Sequence, residues 1–171
     1  GVLIDNDVGL FFQSIATESW SNFSVRPKIV AVTGSNGKST TASLLYYIFS
    51  TLGYKSQLAG NIGRGVLDIN PPDNNEIIIL ELSSYQIEVE RTLSPDIAIF
   101  TNFSADHLER HGGLGGYLAA KRRLFAEGCP DYSIIGVDEI AGLNLAQQLA
   151  ISAGDESVIR VANKKSIREF G

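Results

Sequence analysis

The chain has 171 residues, 44% of them hydrophobic, and a formal charge of −5, enough apolar material for one sizeable core. The acidic balance, with no Lys/Arg block, argues against a nucleic-acid partner. No apolar run approaches the ~18 residues of a membrane span, no signal peptide is visible, and the lone Cys129 precludes an internal disulfide, so a reducing, cytoplasmic setting without a membrane partner is expected. With Gly1 first and no Met anywhere, the chain is expected to be a piece of a longer protein.

Residues 1–25 read as the end of a preceding unit and a linker. Val2 to Ile4 suits a short strand, and Val8 to Ala16 has the mixed apolar face of a short helix. Ser19 to Ser24 is polar with two aromatics and precedes Pro27, as a connector would; Trp20 is assigned to packing. From Lys28 a βα alternation begins, the pattern of a parallel sheet covered by helices. Strands are predicted at 28–33, 56–59, 76–82, 96–102, 132–136 and 158–161. Helices are predicted at 38–52, closed by Gly53, near 64–69, from 115 or 116 to 127, and at 140–153. The four consecutive branched residues Ile77 to Leu80 suit a central strand buried on both faces. The expected fold class is a three-layer α/β domain.

Ligands of open α/β sheets sit beyond the carboxyl ends of the strands, and four predicted strand ends carry polar residues. After the first strand comes Thr33-Gly34-Ser35-Asn36-Gly37-Lys38-Ser39-Thr40-Thr41. Gly34 and Gly37 let the backbone turn its N–H groups inward at a helix N-terminus, Lys38 reaches β- and γ-phosphates, and the Ser39 hydroxyl suits Mg²⁺. The first glycine of the common phosphate-loop pattern is Val32 here. A Gly-rich turn with a solvated Lys is the plainer alternative, but turn, lysine, hydroxyls and flanking elements agree on a nucleoside-triphosphate site. Gly60-Asn61-Ile62-Gly63 is a tight loop near an anionic substrate or simply an Asn-containing turn. Glu81, ending an apolar strand beside the phosphate loop, suits a Mg²⁺-ordering carboxylate better than a solvated edge acid, since an unpaired charge there is costly. Asp106 and His107 could serve a second metal ion or merely cap a helix, and His111 is weaker still. Lys121, within Ala119-Ala120-Lys121-Arg122-Arg123, reads as solvated surface.

Five of these stretches, in order across residues 33–121, resemble the Mur ligases, the ATP-dependent amino-acid-adding enzymes of peptidoglycan synthesis. They are the phosphate loop, Gly60-Asn61-Ile62-Gly63, Glu81-Leu82-Ser83-Ser84-Tyr85-Gln86-Ile87-Glu88, Asp106-His107-Leu108-Glu109-Arg110-His111 and Tyr117-Leu118-Ala119-Ala120-Lys121. The Glu81–Glu88 block is most similar to that of the members that add D-glutamate. The resemblance implies a P-loop NTPase-like central ATP-binding domain with a mostly parallel sheet at 26–171. Residues 1–25 would then be the end of a UDP-binding N-terminal domain and linker, and the C-terminal domain would be absent.

It also implies ATP bound by Gly34, Ser35, Asn36, Gly37, Lys38, Ser39 and Thr40. Two Mg²⁺ would be held by Ser39, Glu81, His107 and a carbamylated Lys121, with Lys38, His107 and Lys121 as the catalytic residues. Asn61 and Ser83 would face the muramoyl substrate. The implied partners are UDP-N-acetylmuramoyl-L-alanine and D-glutamate, joined by a monomer through an acyl phosphate; this piece alone should not turn over. The alternatives are another Mur or folylpolyglutamate-type ligase with a different acceptor, a P-loop switch without ligase chemistry, and a non-catalytic domain retained for interactions.

Overall fold

The structure, a computed structural model, describes residues 5–17, 23–104 and 112–163. The expected strand at 2–4, Trp20, and the group Asp106, His107 and His111 lie outside the described residues. Six strands form one sheet: β1 (Lys28–Thr33), β2 (Ser56–Gly60), β3 (Ile77–Glu81), β4 (Ile97–Phe100), β5 (Tyr132–Gly136) and β6 (Val158–Val161). Their order is β2-β3-β1-β4-β5-β6, and every neighbouring pair is parallel. The helices are α1 (Asp7–Thr17), α2 (Lys38–Thr51), α3 (Ser84–Val89), α4 (Leu114–Ala126) and α5 (Ile140–Ala153).

Alternation along the strands divides the core. Ile29, Ala31, Ile78, Leu80, Ala98, Phe100 and Ile135 pack with Phe11 and Phe12 of α1, Ile87 of α3, Leu124 of α4 and Leu145 of α5. Val30, Val32, Ile79 and Ile99 face the other way, where Ala42, Leu45 and Phe49 of α2 cover them. Both faces of the central strands are therefore apolar, which is why these strands read as unbroken branched runs. The α1 helix is an integral part of this packing, and Asn6 Nδ2 also donates to the Gln86 carbonyl of α3 at 2.8 Å.

The amino end of the sheet is closed by Asp96. Its side chain is 3% exposed and accepts from Arg26 Nη2 at 2.5 Å, Lys28 Nζ at 2.7 Å and the Ile29 N–H at 2.8 Å. The strand β4 runs from Ile97 to Phe100, shorter than the expected 96–102, although the Asp96 and Thr101 N–H groups still donate to the Ile29 and Thr33 carbonyls of β1. The expected helix near 64–69 is only a 3₁₀ turn, Val66–Asp68.

The α3 helix was not expected. Its start is a capping box in which Ser83 accepts from the Gln86 N–H and Gln86 Oε1 accepts from the Ser83 N–H. Its end is held by Arg123 of α4, which donates to the carbonyls of Ile87, Glu88 and Glu90 while pairing with Glu127 at 2.7 Å. A guanidinium on the last carbonyls of a short helix supplies the partners that helix geometry leaves out.

Candidate active site

The strand order reverses direction at β1, which lies between β3 and β4. A crevice opens at such a switch point beyond the carboxyl ends of the strands. Four loops meet there: the phosphate loop after β1, Asn61 after β2, Glu81–Ser83 after β3 and Thr101–Ser104 after β4.

Within the phosphate loop, Gly37 sits at φ 76°, a left-handed conformation that starts α2 and that glycine adopts without strain. Gly34 is required for a different reason: a Cβ there would lie 2.0 Å from Thr101 Oγ1. The loop is tied down from the β4 side. The Ser35 N–H donates to the Asn102 carbonyl at 2.9 Å, the Asn36 N–H donates to Asn102 Oδ1 at 3.0 Å, and Ser35 Oγ donates to the Ser104 carbonyl at 3.0 Å. Those two N–H groups, expected to face phosphate, are thus engaged internally. Among the described residues no side chain caps the first turn of α2, which leaves the N–H groups of Lys38, Ser39 and Thr40 as the donors there that an anion could meet.

Lys38 Nζ donates to the Ser35 carbonyl at 2.8 Å, which folds the ammonium over its own loop. Together with Asn61, Ser83, Tyr85, Tyr117 and Lys121 it lines a cleft of about 150 Å³. Residues 38, 61, 83 and 121 come from four separate segments, and the fold brings them to one place. Gly60 makes this possible on the β2 side. A Cβ there would fall 2.2 Å from the Glu81 carbonyl, which also accepts the Asn61 N–H at 2.9 Å.

Lys121 is a correction to the reading of its local sequence. It is 1% exposed, not solvated: Nζ donates to the Gly34 carbonyl at 2.8 Å and lies 4.5 Å from the centre of the Tyr117 ring. Tyr117 is itself buried and hydrogen-bonds Ser35 Oγ at 3.3 Å. An ammonium against a carbonyl and an aromatic face is stabilised despite burial. The α4 helix thereby braces the phosphate loop from a second side.

Glu81 pairs in register with Val32 on one side and Gly60 on the other. Alternation along β3 places its side chain on the α2 face of the sheet. It is 1% exposed, and its Oε2 has no hydrogen-bond partner among the described residues. An unpartnered buried carboxylate oxygen costs about 1–3 kcal/mol or more. A hard cation would relieve it, and Mg²⁺ takes carboxylate and hydroxyl oxygens of the kind that Glu81 and the exposed Ser39 offer. The residues present fit such an ion.

Residues 32–169 match the Mur ligase middle domain family. The chain belongs to the Mur ligases. It is 62% identical over 95% of its length to the UDP-N-acetylmuramoylalanine–D-glutamate ligase of Roseobacter denitrificans, and 57% identical over its whole length to that of Cereibacter sphaeroides. It spans 35% and 37% of those two proteins, about a third of their length. Among solved structures, a UDP-N-acetylmuramoyl-L-alanyl-D-glutamate–2,6-diaminopimelate ligase superposes with a TM-score of 0.68 at 25% identity, over 84% of this chain and 34% of that one. The Mur ligase fold expected from the motifs is thus present, with a sheet that is parallel throughout the described strands.

Reasoning from the motifs missed the bracing set. Thr101 and Asn102 are expected only as the last residues of the strand at 96–102, and Ser104 carries no expectation. Three polar residues directly after a buried strand at the switch point were the available signal.

Proposed function

We propose that the chain is the central part of an ATP-dependent ligase that joins D-glutamate to UDP-N-acetylmuramoyl-L-alanine. The observation that carries this reading is the meeting of Lys38, Asn61, Ser83 and Lys121 in one cleft beside a phosphate loop, with the unpartnered Glu81 oxygen at the neighbouring strand end. The identity of the relatives supports the acceptor. Residues 26–171 are the ATP-binding domain and 1–25 the end of a UDP-binding domain with its linker, whose α1 packs into the core of the ATP-binding domain. The isolated piece does not turn over, and the whole enzyme acts as a monomer in the cytoplasm, a setting that suits the exposed free thiol of Cys129.

In this reading the α2 first-turn N–H groups and Lys38 bind the nucleotide phosphates, with Lys38 swinging from the Ser35 carbonyl to the β- and γ-oxygens. Asn61, with Ser83 on the adjoining cleft wall, orients the muramoyl substrate so that its alanyl carboxylate stands in line with the γ-phosphorus. Attack forms an acyl phosphate and releases ADP; the amine of D-glutamate then displaces phosphate to form the amide. Ser39, Glu81, His107 and a carbamylated Lys121 would hold two Mg²⁺, which when bound neutralise charge on the transferring phosphoryl group. Carbamylation would replace the Lys121 ammonium with oxygen ligands and leave one N–H for the Gly34 carbonyl.

The test is phosphate release by the full-length parent with Mg-ATP and UDP-N-acetylmuramoyl-L-alanine, supplying D-glutamate, L-lysine or meso-diaminopimelate singly. Release is expected with D-glutamate alone and is expected to vanish in Lys38→Ala. Release with a different acceptor would overturn the acceptor, and release independent of Lys38 would overturn the site.

A further inference from the structure

The peptide of Asn36 is held by three hydrogen bonds from one neighbouring segment. Its N–H donates to Asn102 Oδ1 at 3.0 Å, and its carbonyl accepts from Asn102 Nδ2 at 3.0 Å and from Thr101 Oγ1 at 2.7 Å. The adjoining Ser35 N–H donates to the Asn102 main-chain carbonyl at 2.9 Å. The orientation of the Asn102 amide follows from chemistry, because an N–H can meet only Oδ1 and a carbonyl only Nδ2. The side chain thus pairs with both polar groups of one loop residue, as a neighbouring strand would, just beyond the last ladder residue Phe100.

We propose that Asn102 is a positioning residue for nucleotide binding: a clamp that holds the phosphate loop in its anion-binding shape before the nucleotide arrives. The proposal rests on the nucleotide reading above. Asn36 immediately precedes Gly37, whose φ of 76° turns the chain into α2. The direction of the Lys38, Ser39 and Thr40 N–H groups therefore depends on how the Asn36 peptide is set. A loop with two glycines in three-residue spacing, Gly34 and Gly37, samples many conformations when unheld. Fixing one residue's backbone in advance corresponds to roughly tenfold in affinity. Asn102 gives that benefit through Asn36, which engages its Oδ1 and one of its two Nδ2 hydrogens. The same strand end supplies the covalent continuation of β4, so the clamp ties the loop to the rigid centre of the sheet.

The experiment compares wild type, Asn102→Ala and Thr101→Val in the full-length enzyme. For Asn102→Ala the KM for ATP is expected to rise about tenfold while kcat changes less than about threefold and the KM for the muramoyl substrate stays put. Amide hydrogen exchange at Ser35 and Asn36 in the nucleotide-free protein should accelerate at least about tenfold. Thr101→Val, which keeps shape and removes one of the three bonds, should move the ATP KM in the same direction by a smaller factor, and it serves if Asn102→Ala fails to fold. A wild-type KM for ATP in both variants overturns the clamp, as does a loss confined to kcat and melting temperature. A wild-type enzyme that turns over without ATP instead overturns the nucleotide reading on which the clamp stands.

Discussion

Two buried acids close opposite ends of this sheet, and they are built in opposite ways. At the amino end, Asp96 collects Arg26, Lys28 and the Ile29 N–H. At the carboxyl end, Glu81 is buried as deeply, yet its Oε2 meets no donor among the described residues. A carboxylate whose partners all come from the chain stabilises the fold. One left short of partners carries a cost within the fold that only a ligand can remove. Burial alone does not separate the two; the donors do. Glu90 refines the point: its Oε2 also has no partner among the described residues, but its Oε1 holds the Arg91 N–H, the Thr92 N–H and the Thr92 hydroxyl, and it turns toward α1 rather than the phosphate loop.

The largest effect should come from Glu81, the acid with a buried oxygen that no described residue meets. Glu81→Gln in the full-length enzyme keeps the shape and removes the charge, and ligase turnover should fall by about 10³-fold, as when a group that stabilises transferring charge is lost. Its melting temperature should be unchanged or higher, because a costly buried charge has gone. A large drop in melting temperature would place Glu81 with Asp96 and erase the contrast. The converse substitution, Asp96→Ala, removes a buried acceptor from two cations and one N–H, and unfolding free energy should fall by about 3 kcal/mol in a denaturant titration. The ATP dependence of the folded fraction should stay as in the wild type. Asp96→Asn, which still accepts from Ile29, should cost about half as much.

The same distinction explains what could be read from the residues alone. Strands β1, β5 and β6 and helix α5 were legible to their end residues, since branched runs and glycine stops carry that information locally. The phosphate loop was legible too, because its glycines, lysine and hydroxyls are contiguous. Lys121 was not: helix position says nothing about the Gly34 carbonyl and the Tyr117 ring that receive it, and both arrive only through the tertiary fold. Only the resemblance to the Mur ligases singled it out. Asn102 went unassigned for the same reason, since its partner lies 66 residues away. The α3 helix is a different kind of omission, for Ser83-Ser84-Tyr85-Gln86 is a capping-box pattern, overlooked because a six-residue helix has no apolar periodicity to announce it.

Ser83 tests the contrast at a residue that stands on both sides of it. It lines the cleft, but its hydroxyl is already engaged with Gln86, accepting the N–H at 3.2 Å and donating to Oε1 at 3.1 Å. Ser83→Ala should lower stability by about 1 kcal/mol, the usual worth of an N-cap. If the partnered state is what marks a structural group, the KM for the muramoyl substrate should rise only modestly in this variant. A rise beyond about tenfold with unchanged stability would show the hydroxyl working on substrate and not on α3.

The smallest effect belongs to an acid that is partnered yet exposed. Arg123 Nε and Nη2 donate to Glu127 at 2.7 Å across one turn of α4, and this hydrogen bond holds the Glu127 carboxyl below its usual 4.5 and raises the Arg123 guanidinium. A carboxyl whose folded value is depressed contributes stability above its unfolded value and loses it as pH falls through the folded one. The pair is half open to solvent on the glutamate side, so screening limits it to about 0.5 kcal/mol. Glu127→Gln should therefore be slightly less stable than wild type at pH 7, and the gap should close as pH falls below the ordinary carboxylate range. Asp96→Ala should instead lose several times as much at pH 7, since its acceptor is buried and one of its donors is a main-chain N–H with no route to water. If the two losses proved equal, burial would not set the worth of an acid in this domain.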